Sequence, residues 1–521
     1  MLFTSLNFLV FLSILIPLYF LVPKKVQWIV LLIANAIFYV FAGTSGLIFI
    51  SITIVTTYIA TMIIDHLYGI QEKYLKENKA LLSKEDKKSY KNKMMVRRRI
   101  VAISCAVISF GIIAVMKYSG LFLRGTEFAK SLSLILPLGI SYYTFQTMGY
   151  MIDVYRGTYK PEKNIFKLAL FTSFFPLLLQ GPITRFGDVS KSLYEPHSFD
   201  SHNFVYGLER ILWGYFKKVV IADRILIAVK TIIDAPDTYD GAYVLCGMIF
   251  YAIQLYCDFT GGIDITIGIA QILGITLPEN FLRPFFSKNI AEYWRRWHIS
   301  LGVWFREYLF YPISVSKPLL KLSKFTRNKI GNGIGMRIPV YVATITVWFI
   351  TGLWHGSAWN FIVWGLLNAL IIIVSEELSP LYAKFHSRFP GLKQKWGYRL
   401  FEIGRMFFIM CSLRVLDCYR SVGTSFRMYS TLFTRFNYNI LFDGSLLKLG
   451  LNLYDYIVVF AGVVLLVVFS LVQRKGSVRD MIARKPIGVQ LAIFASLLFA
   501  ILIFGAYGIG YDASQFIYTG F

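Results

Sequence analysis

The sequence predicts an all-α polytopic membrane protein. Hydrophobic residues fill 56% of its 521 positions and charged residues only 16%, far more apolar than an ordinary soluble domain. Apolar runs long enough to cross a hydrocarbon core of about 30 Å, roughly 20 helical residues, recur from one end to the other. Between them the basic residues gather into short loops, the distribution of cytoplasmic loops in a multi-pass protein of the cell membrane.

Taken in order, the apolar runs lie near 5–22, 26–43, 46–64, 98–116, 132–152, 165–181, 207–230, 241–274, 338–353, 357–378, 398–416, 453–472 and 486–507. The first lacks a basic region before Leu6 and a small-residue cleavage site before Lys24-Lys25, so it is expected as a retained helix. Hydrophilic stretch 71–99 ends in Arg97-Arg98-Arg99 and is assigned to the cytoplasm, as an amphiphilic helix or a solvated loop. Three helices precede it, which puts Lys24-Lys25 inside and the turn 43–46 outside. The same assignment places the basic segments 156–167, 317–337, 384–399 and 474–485 inside. It leaves 417–452 and Phe521 outside, although Arg420, Arg427 and Arg435 on that outer loop run against the rule. No linker, low-complexity tract or fixed repeat divides the chain, so residues 1–521 are expected to form a single integral membrane domain.

The net charge of +25, from 54 Lys and Arg against 29 Asp and Glu, follows this loop pattern. No segment outside the bilayer is large enough for a nucleic-acid site, and nucleic acid is not an expected partner; membrane lipid is. The cysteines at 105, 246, 257, 411 and 418 show no metal-ligand spacing, so neither a disulfide framework nor a zinc site is expected.

Segment 275–312 differs in kind. It opens with Leu277-Pro-Glu-Asn-Phe-Leu-Arg-Pro284, whose prolines interrupt a helix, and continues too charged to span lipid. On helical spacing Trp294, Trp297, Leu301, Trp304 and Tyr308 share one stripe, with Arg295, His298, Gly302 and Arg306 along a neighbouring one. Such a helix lies at an interface or lines a cavity.

Two histidines stand in tryptophan-rich settings: His298 in Tyr293-Trp-Arg-Arg-Trp-His-Ile-Ser300 and His355 in Thr351-Gly-Leu-Trp-His-Gly-Ser357. An ionisable group at membrane depth is costly and by default functional. His355, flanked by the helices of 338–378, follows the apolar run Val340 to Leu353 and is expected to be buried, with Gly352 and Gly356 removing side-chain bulk around it and allowing a break in the helix; His298 is expected nearer the cytoplasmic face. With an ordinary pKa near 6.5, imidazole can take a proton from a hydroxyl and return it to a leaving group. The alternative is a hydrogen-bonded packing role. His66, His197, His202 and His386 lie in loops or at helix ends, where surface or structural roles are expected. Asp258 and Asp264 are expected to pair with arginines such as Arg283 or Arg295 rather than to catalyse. No nucleotide loop, serine elbow or zinc helix occurs, and no metal is implied.

The blocks at 277–284 and 294–301, with Trp304-Phe-Arg-Glu-Tyr-Leu309, Gly352-Leu-Trp-His-Gly356 and Gln180-Gly-Pro-Ile-Thr-Arg185, resemble the membrane-bound O-acyltransferase family. The likeness runs on through Trp364-Gly365 to Phe516-Ile-Tyr518, and it is nearest to the bacterial branch that O-acetylates alginate and peptidoglycan. The resemblance implies many helices around a transmembrane tunnel, with short interfacial and re-entrant helices. It also implies that His355 is the family's near-invariant histidine, that His298 stands where eukaryotic relatives often carry asparagine, and that the acyl donor arrives from the cytoplasm. Gly261-Gly-Ile-Asp264 departs from the Gly-Tyr-Ser-Asp usual in bacterial relatives, and the tail ends Tyr-Thr-Gly-Phe521.

The expected activity is therefore O-acyl transfer, acetyl moving from acetyl-CoA toward hydroxyls of an extracytoplasmic polysaccharide or cell-wall glycan, with no bound cofactor. His355 would act as general base or transient acyl acceptor and His298 would orient or protonate. Arg295 and Arg296 would attract the donor's phosphates, and Trp294, Trp297 and Trp354 would wall the passage against water. A separate outer-face transferase is the expected partner. Two other readings stay open: D-alanyl transfer to teichoic acid from a carrier protein, and a glycan-precursor transporter or flippase with the histidines as a proton relay.

Overall fold

The computed structural model describes residues 2–44, 46–122 and 137–507, with backbone alone at 119–122. The start of the apolar run near 132–152, the residue Ser45 in the outer turn, and the motif Phe516-Ile-Tyr518 with the terminal Phe521 lie outside the described residues. Among those described, helix is the only regular structure, apart from one isolated antiparallel bridge between Phe281 and Trp297. Eight helices are long and apolar enough to cross a membrane: Lys24–Ala42, Gly46–Glu77, Lys84–Tyr118, Ala242–Ile272, Asn332–His355, Trp359–Glu377, Leu453–Lys475 and Ile487–Phe504. Leucine, isoleucine and phenylalanine line their outer faces, as lipid solvation requires and water would not. The protein is an all-α polytopic membrane protein.

Contacts divide the described residues into two compact units: 1–205 with 269–278, and 206–268 with 279–521. In the first, the hydrophilic stretch 71–99 is not a loop. Gly46–Glu77 and Lys84–Phe122 carry their helices through it and turn at 78–83. Tyr74 stacks on Tyr90 at 4.0 Å, and the buried Arg98 lies over the Tyr68 ring while donating to Gln71 at 3.1 Å. Tyr39, Ile50, Ile54, Ile113, Met116 and Tyr143 pack below as a core. The run near 165–181 breaks at Phe174 into Ile165–Ser173 and Phe175–Gln180. Asn35 fills the break: its Oδ1 accepts from the Phe175 amide at 3.0 Å and its Nδ2 donates to Ser173 Oγ at 3.2 Å. His197 is structural, its amide donating to Gln27 and its Nε2 lying 2.6 Å from the Ser192 carbonyl.

The second unit holds the residues singled out for chemistry. The run near 207–230 is helical, but a π-helical stretch, Phe216–Ala222, interrupts it, with Lys217 and Lys218 both buried. Wide turns of this kind often mark functional places in a helix. Gly214 and Gly261 lie backbone to backbone, as do Gly207 carbonyl and Gly268, so a Cβ at Gly261 or Gly268 would meet a carbonyl oxygen at 2.9 or 2.6 Å. Gly261, within the departure at 261–264, is thus a close-packing position of two helices.

Segment 275–312 departs from the continuous helix that its spacing suggests. It forms two short helices, Ile290–Arg296 and Ile299–Phe305, followed by a π-helical turn, Arg306–Phe310. The periodicity survives the break because each piece keeps its own face. Trp297, Leu301, Trp304 and Tyr308 are buried and Trp294 partly so, while Arg295, Gly302 and Arg306 are exposed; His298, at the break, is buried and leaves the exposed stripe. Helix Asn332–His355 likewise runs unbroken through Gly352 and ends at His355, with Gly356 extended. The break falls at Gly356, and Gly352 removes side-chain bulk at a close contact. A Cβ on it would sit 2.4 Å from the Phe361 carbonyl, and one on Gly365 would sit 2.3 Å from the Trp348 carbonyl. Those two glycines let Asn332–His355 and Trp359–Glu377 lie backbone against backbone.

Candidate active site

The site begins with a fold-back of chain. Residues 280–282 run antiparallel to 296–299: the Leu282 amide donates to the Arg296 carbonyl at 3.0 Å and the Ile299 amide to the Asn280 carbonyl at 3.0 Å. Proline at 278 and 284 keeps this strand out of helix, which frees its backbone for the pairing. Asn280 is fully buried at the centre. Its Oδ1 accepts from the Ser300 amide at 3.0 Å and from Ser300 Oγ at 2.9 Å, and lies 3.3 Å from His298 Nδ1.

His298 itself sits between the two short helices with φ 49° and ψ 54°, in the left-handed region that few side chains adopt. That turn aims the ring inward. It meets Phe259 edge-on at 5.0 Å, lies near-parallel to Phe281 at 6.5 Å, and approaches Trp354 at 6.1 Å. Burial holds its pKa down at about 3, so the ring is neutral at physiological pH. A hydrogen bond from Nδ1–H to Asn280 leaves Nε2 as an acceptor.

His355 closes the helix Asn332–His355 and is half-buried, less covered than its apolar run suggests. Its ring packs against Trp354 at 4.8 Å and Trp364 at 4.9 Å, and lies near-parallel to Phe361 at 6.5 Å. Trp354 is thus a neighbour of both imidazoles, which bounds their separation by two ring-to-ring steps.

Both histidines line one cavity of about 680 Å³. Trp294, Trp297, Trp348 and Trp364 form much of its wall, with Trp294 4.7 Å from Trp348 and 5.8 Å from Trp364. The buried indole N–H groups of Trp294 and Trp364 have no hydrogen-bond partner among the described residues. Arg295 and Arg306, both exposed, bring positive charge to the same wall.

Of the residues singled out in the sequence, the cavity gathers His298, His355, Arg295, Trp294 and Trp297. Arg296 is not on this wall. It bonds Glu292 at 2.6 Å, one helical turn back, and reaches the Arg283 carbonyl. Trp354 is not a wall residue either, but the aromatic link between the two imidazoles. Asp258 and Asp264 are paired, though with lysines and Arg210 rather than with Arg283 or Arg295. Asp264 takes Arg210 at 3.0 Å and Lys217 at 2.6 Å, and Asp258 takes Lys218 at 2.6 Å. Buried cations close to these carboxylates in the fold win over arginines that lie elsewhere.

Three site residues escaped the sequence reading. Asn280 lies within the quoted 277–284 block without any mark of its clamp role. Arg414 and Asp417 bond at 2.8 Å near the end of helix Trp396–Tyr419, beyond the uncharged stretch 406–413, and the Arg414 guanidinium lies over Trp297 at 5.0 Å and Trp364 at 5.6 Å. A charged pair three residues apart beyond an uncharged stretch was the signal that would have found them.

Fold and site together define a polytopic membrane protein whose internal cavity is lined by two histidines and a tryptophan wall. Residues 163–416 match the model of MBOAT, the membrane-bound O-acyltransferase family. It is 35% identical over 246 residues to a "Probable alginate O-acetylase" of Azotobacter vinelandii, covering 47% of this chain and 45% of that one. It is 31% identical over 326 residues to a "Peptidoglycan O-acetyltransferase" of Helicobacter pylori, covering 57% and 59%. A "Teichoic acid D-alanyltransferase" of Bacillus subtilis is 31% identical over 247 residues, covering 46% and 59%. The chain spans about half the length of these relatives.

Proposed function

We propose that this protein is a membrane O-acyltransferase that moves acetyl from acetyl-CoA, supplied on the cytoplasmic side, toward hydroxyls of an extracytoplasmic polysaccharide or cell-wall glycan. The observation that carries the reading is that His298 and His355, 57 positions apart in sequence, open onto one tryptophan-walled cavity within the family-matched stretch. His355 acts as general base: it takes the proton as the oxygen of an acceptor hydroxyl bonds to the acyl carbon, and returns it to the thiolate released when the carbon–sulfur bond breaks. His355 as a transient acyl acceptor uses the same contacts. His298, neutral and held by Asn280, orients a reacting group as a hydrogen-bond acceptor rather than delivering charge. The Trp294 and Trp364 N–H groups suit the oxygen of the acyl carbonyl, where charge develops. Arg295 and Arg306 suit the donor's phosphates; Arg296, engaged by Glu292, is left out of that role.

A largely aromatic wall keeps water from the thioester, whose hydrolysis would waste it. A separate transferase on the outer face completes delivery to the polymer. Similarity to a D-alanyltransferase favours a second cargo, D-alanine from a carrier protein, on the same residues.

The test is transfer from radiolabelled acetyl-CoA by purified protein carrying His355→Ala or His298→Ala. His355→Ala is expected to lower the rate by at least about a hundredfold while eluting as folded protein. Undiminished transfer removes the assignment, and transfer only from a D-alanyl carrier shifts the cargo to the second reading.

A further inference from the structure

Away from the histidines, the second unit encloses another cavity, of about 850 Å³. Its wall changes character along its length. One end is apolar and lies between the spanning helices Leu453–Lys475 and Ile487–Phe504, lined by Trp213, Leu466, Phe469, Ile493 and Leu497. Lining positions on the last helix run from Gly488 to Ala500, about 18 Å at 1.5 Å per residue, the scale of an extended acyl chain. The other end is charged, and Gln473 and Ser477 line it where the two spanning helices are joined.

Most of that charge cancels within the protein. Arg210 binds Asp264 at 3.0 Å and Glu279 at 2.6 Å, and Lys217 binds the second oxygen of Asp264 at 2.6 Å. Arg283 is different. Among the described residues no carboxylate pairs with it, and the charged groups it feels are two more cations, Arg296 and Arg474. Burial, and then those two guanidiniums, hold its pKa below the usual arginine value. Arg474 also has no carboxylate partner among the described residues, while Arg479, on the cavity wall, lies in the field of Glu279, Asp264 and Glu209 as well as of Arg210. Arg296 is already held by Glu292, so the charge left without a carboxylate at the polar end is that of Arg283 and its neighbour Arg474, and an anion attached to an apolar body stabilises it.

We propose that this cavity binds an anionic phospholipid, its phosphate facing Arg283 and Arg479 and one acyl chain lying between Leu453–Lys475 and Ile487–Phe504. Free phosphate meets the cations but leaves the apolar slot unfilled. A zwitterionic lipid brings its own cation against the arginines. The site does not depend on the acyl-transfer reading, yet it abuts that cavity: Phe281 belongs to its wall and lies against the His298 ring.

The experiment is retention of labelled phosphatidylglycerol by the full-length protein through detergent exchange, with phosphatidylcholine and inorganic phosphate in parallel. Phosphatidylglycerol is expected to stay, phosphatidylcholine to wash away, and phosphate at matched concentration not to displace the lipid. Arg283→Gln is expected to weaken retention about tenfold, the effect of losing one charge-assisted hydrogen bond. Ala492→Trp fills the slot from an exposed position and is expected to do the same with every arginine in place. Equal retention of the two lipids, displacement by phosphate alone, or unchanged retention in both variants overturns the proposal.

Discussion

His298 shows how one residue is made ready by its surroundings. Its left-handed backbone costs on the order of 1–3 kcal/mol, and such strain persists only where contacts over-determine it. Asn280 supplies those contacts by accepting from Ser300 on both backbone and side chain. Because burial lowers the folded-state pKa to about 3, below the ordinary 6.5, the unfolded chain binds more protons between these values. The contribution to stability is therefore complete above pH 6.5 and is lost as pH falls through that window toward 3. Over the range from about pH 5 to 8, transfer is expected to show no titration from His298. Asn280→Asp sets a carboxylate near Nδ1 and raises the imidazole pKa, so a new limb is expected in the pH–rate profile of that variant. Identical profiles for the two proteins would refute the clamp. The histidines themselves were legible in the sequence, since an imidazole flanked by tryptophan in an otherwise apolar chain is conspicuous. Asn280 was not, because a polar residue beside proline reads as a turn until its partner, 20 positions on, is known.

Between elements, glycine decides how closely helices approach. Gly352 and Gly365 bring Asn332–His355 and Trp359–Glu377 together where Trp348, His355 and Trp364 meet. Gly365→Ala drives a methyl against the Trp348 carbonyl, which a rigid backbone cannot yield, and is expected to cost about 1–3 kcal/mol. Gly404→Ala is the contrast. It lies inside helix Trp396–Tyr419 with open space at its Cβ, so it is expected to stabilise by about 0.5–1 kcal/mol through helix propensity. Thermal midpoints in one detergent test both, and equal shifts in one direction would disprove the packing account. Sequence periodicity located these helices well, because hydropathy is a property of each segment alone. It did not show that the helical stripe through 294–308 is split at Trp297-His298, or that Gly352 meets the Phe361 carbonyl, because fold-back and close contact depend on a second segment.

At the scale of the molecule, buried ion pairs tie distant stretches of the second unit together. Arg210 and Lys217 hold Asp264, Lys218 holds Asp223 and Asp258, and Arg224 holds Asp455. Lys218→Met leaves two buried carboxylates without their cation and is expected to cost about 3–5 kcal/mol, seen as loss of folded protein by size exclusion. Adding Asp258→Asn removes one of those charges and is expected to restore part of it; an unaffected single variant would show the pairs to be incidental. Sequence alone determined that this is a helical membrane protein, where its eight long apolar helices among the described residues fall, though it offered thirteen runs, and which histidines merit attention, since those follow from local apolarity and from residue types rare in lipid. Tertiary structure alone decided which carboxylate meets which cation, that Arg296 turns away from the cavity, and that His298 and His355 share one. Desolvation and Coulomb attraction act through space, so their outcome is fixed only once segments far apart in the chain are packed side by side.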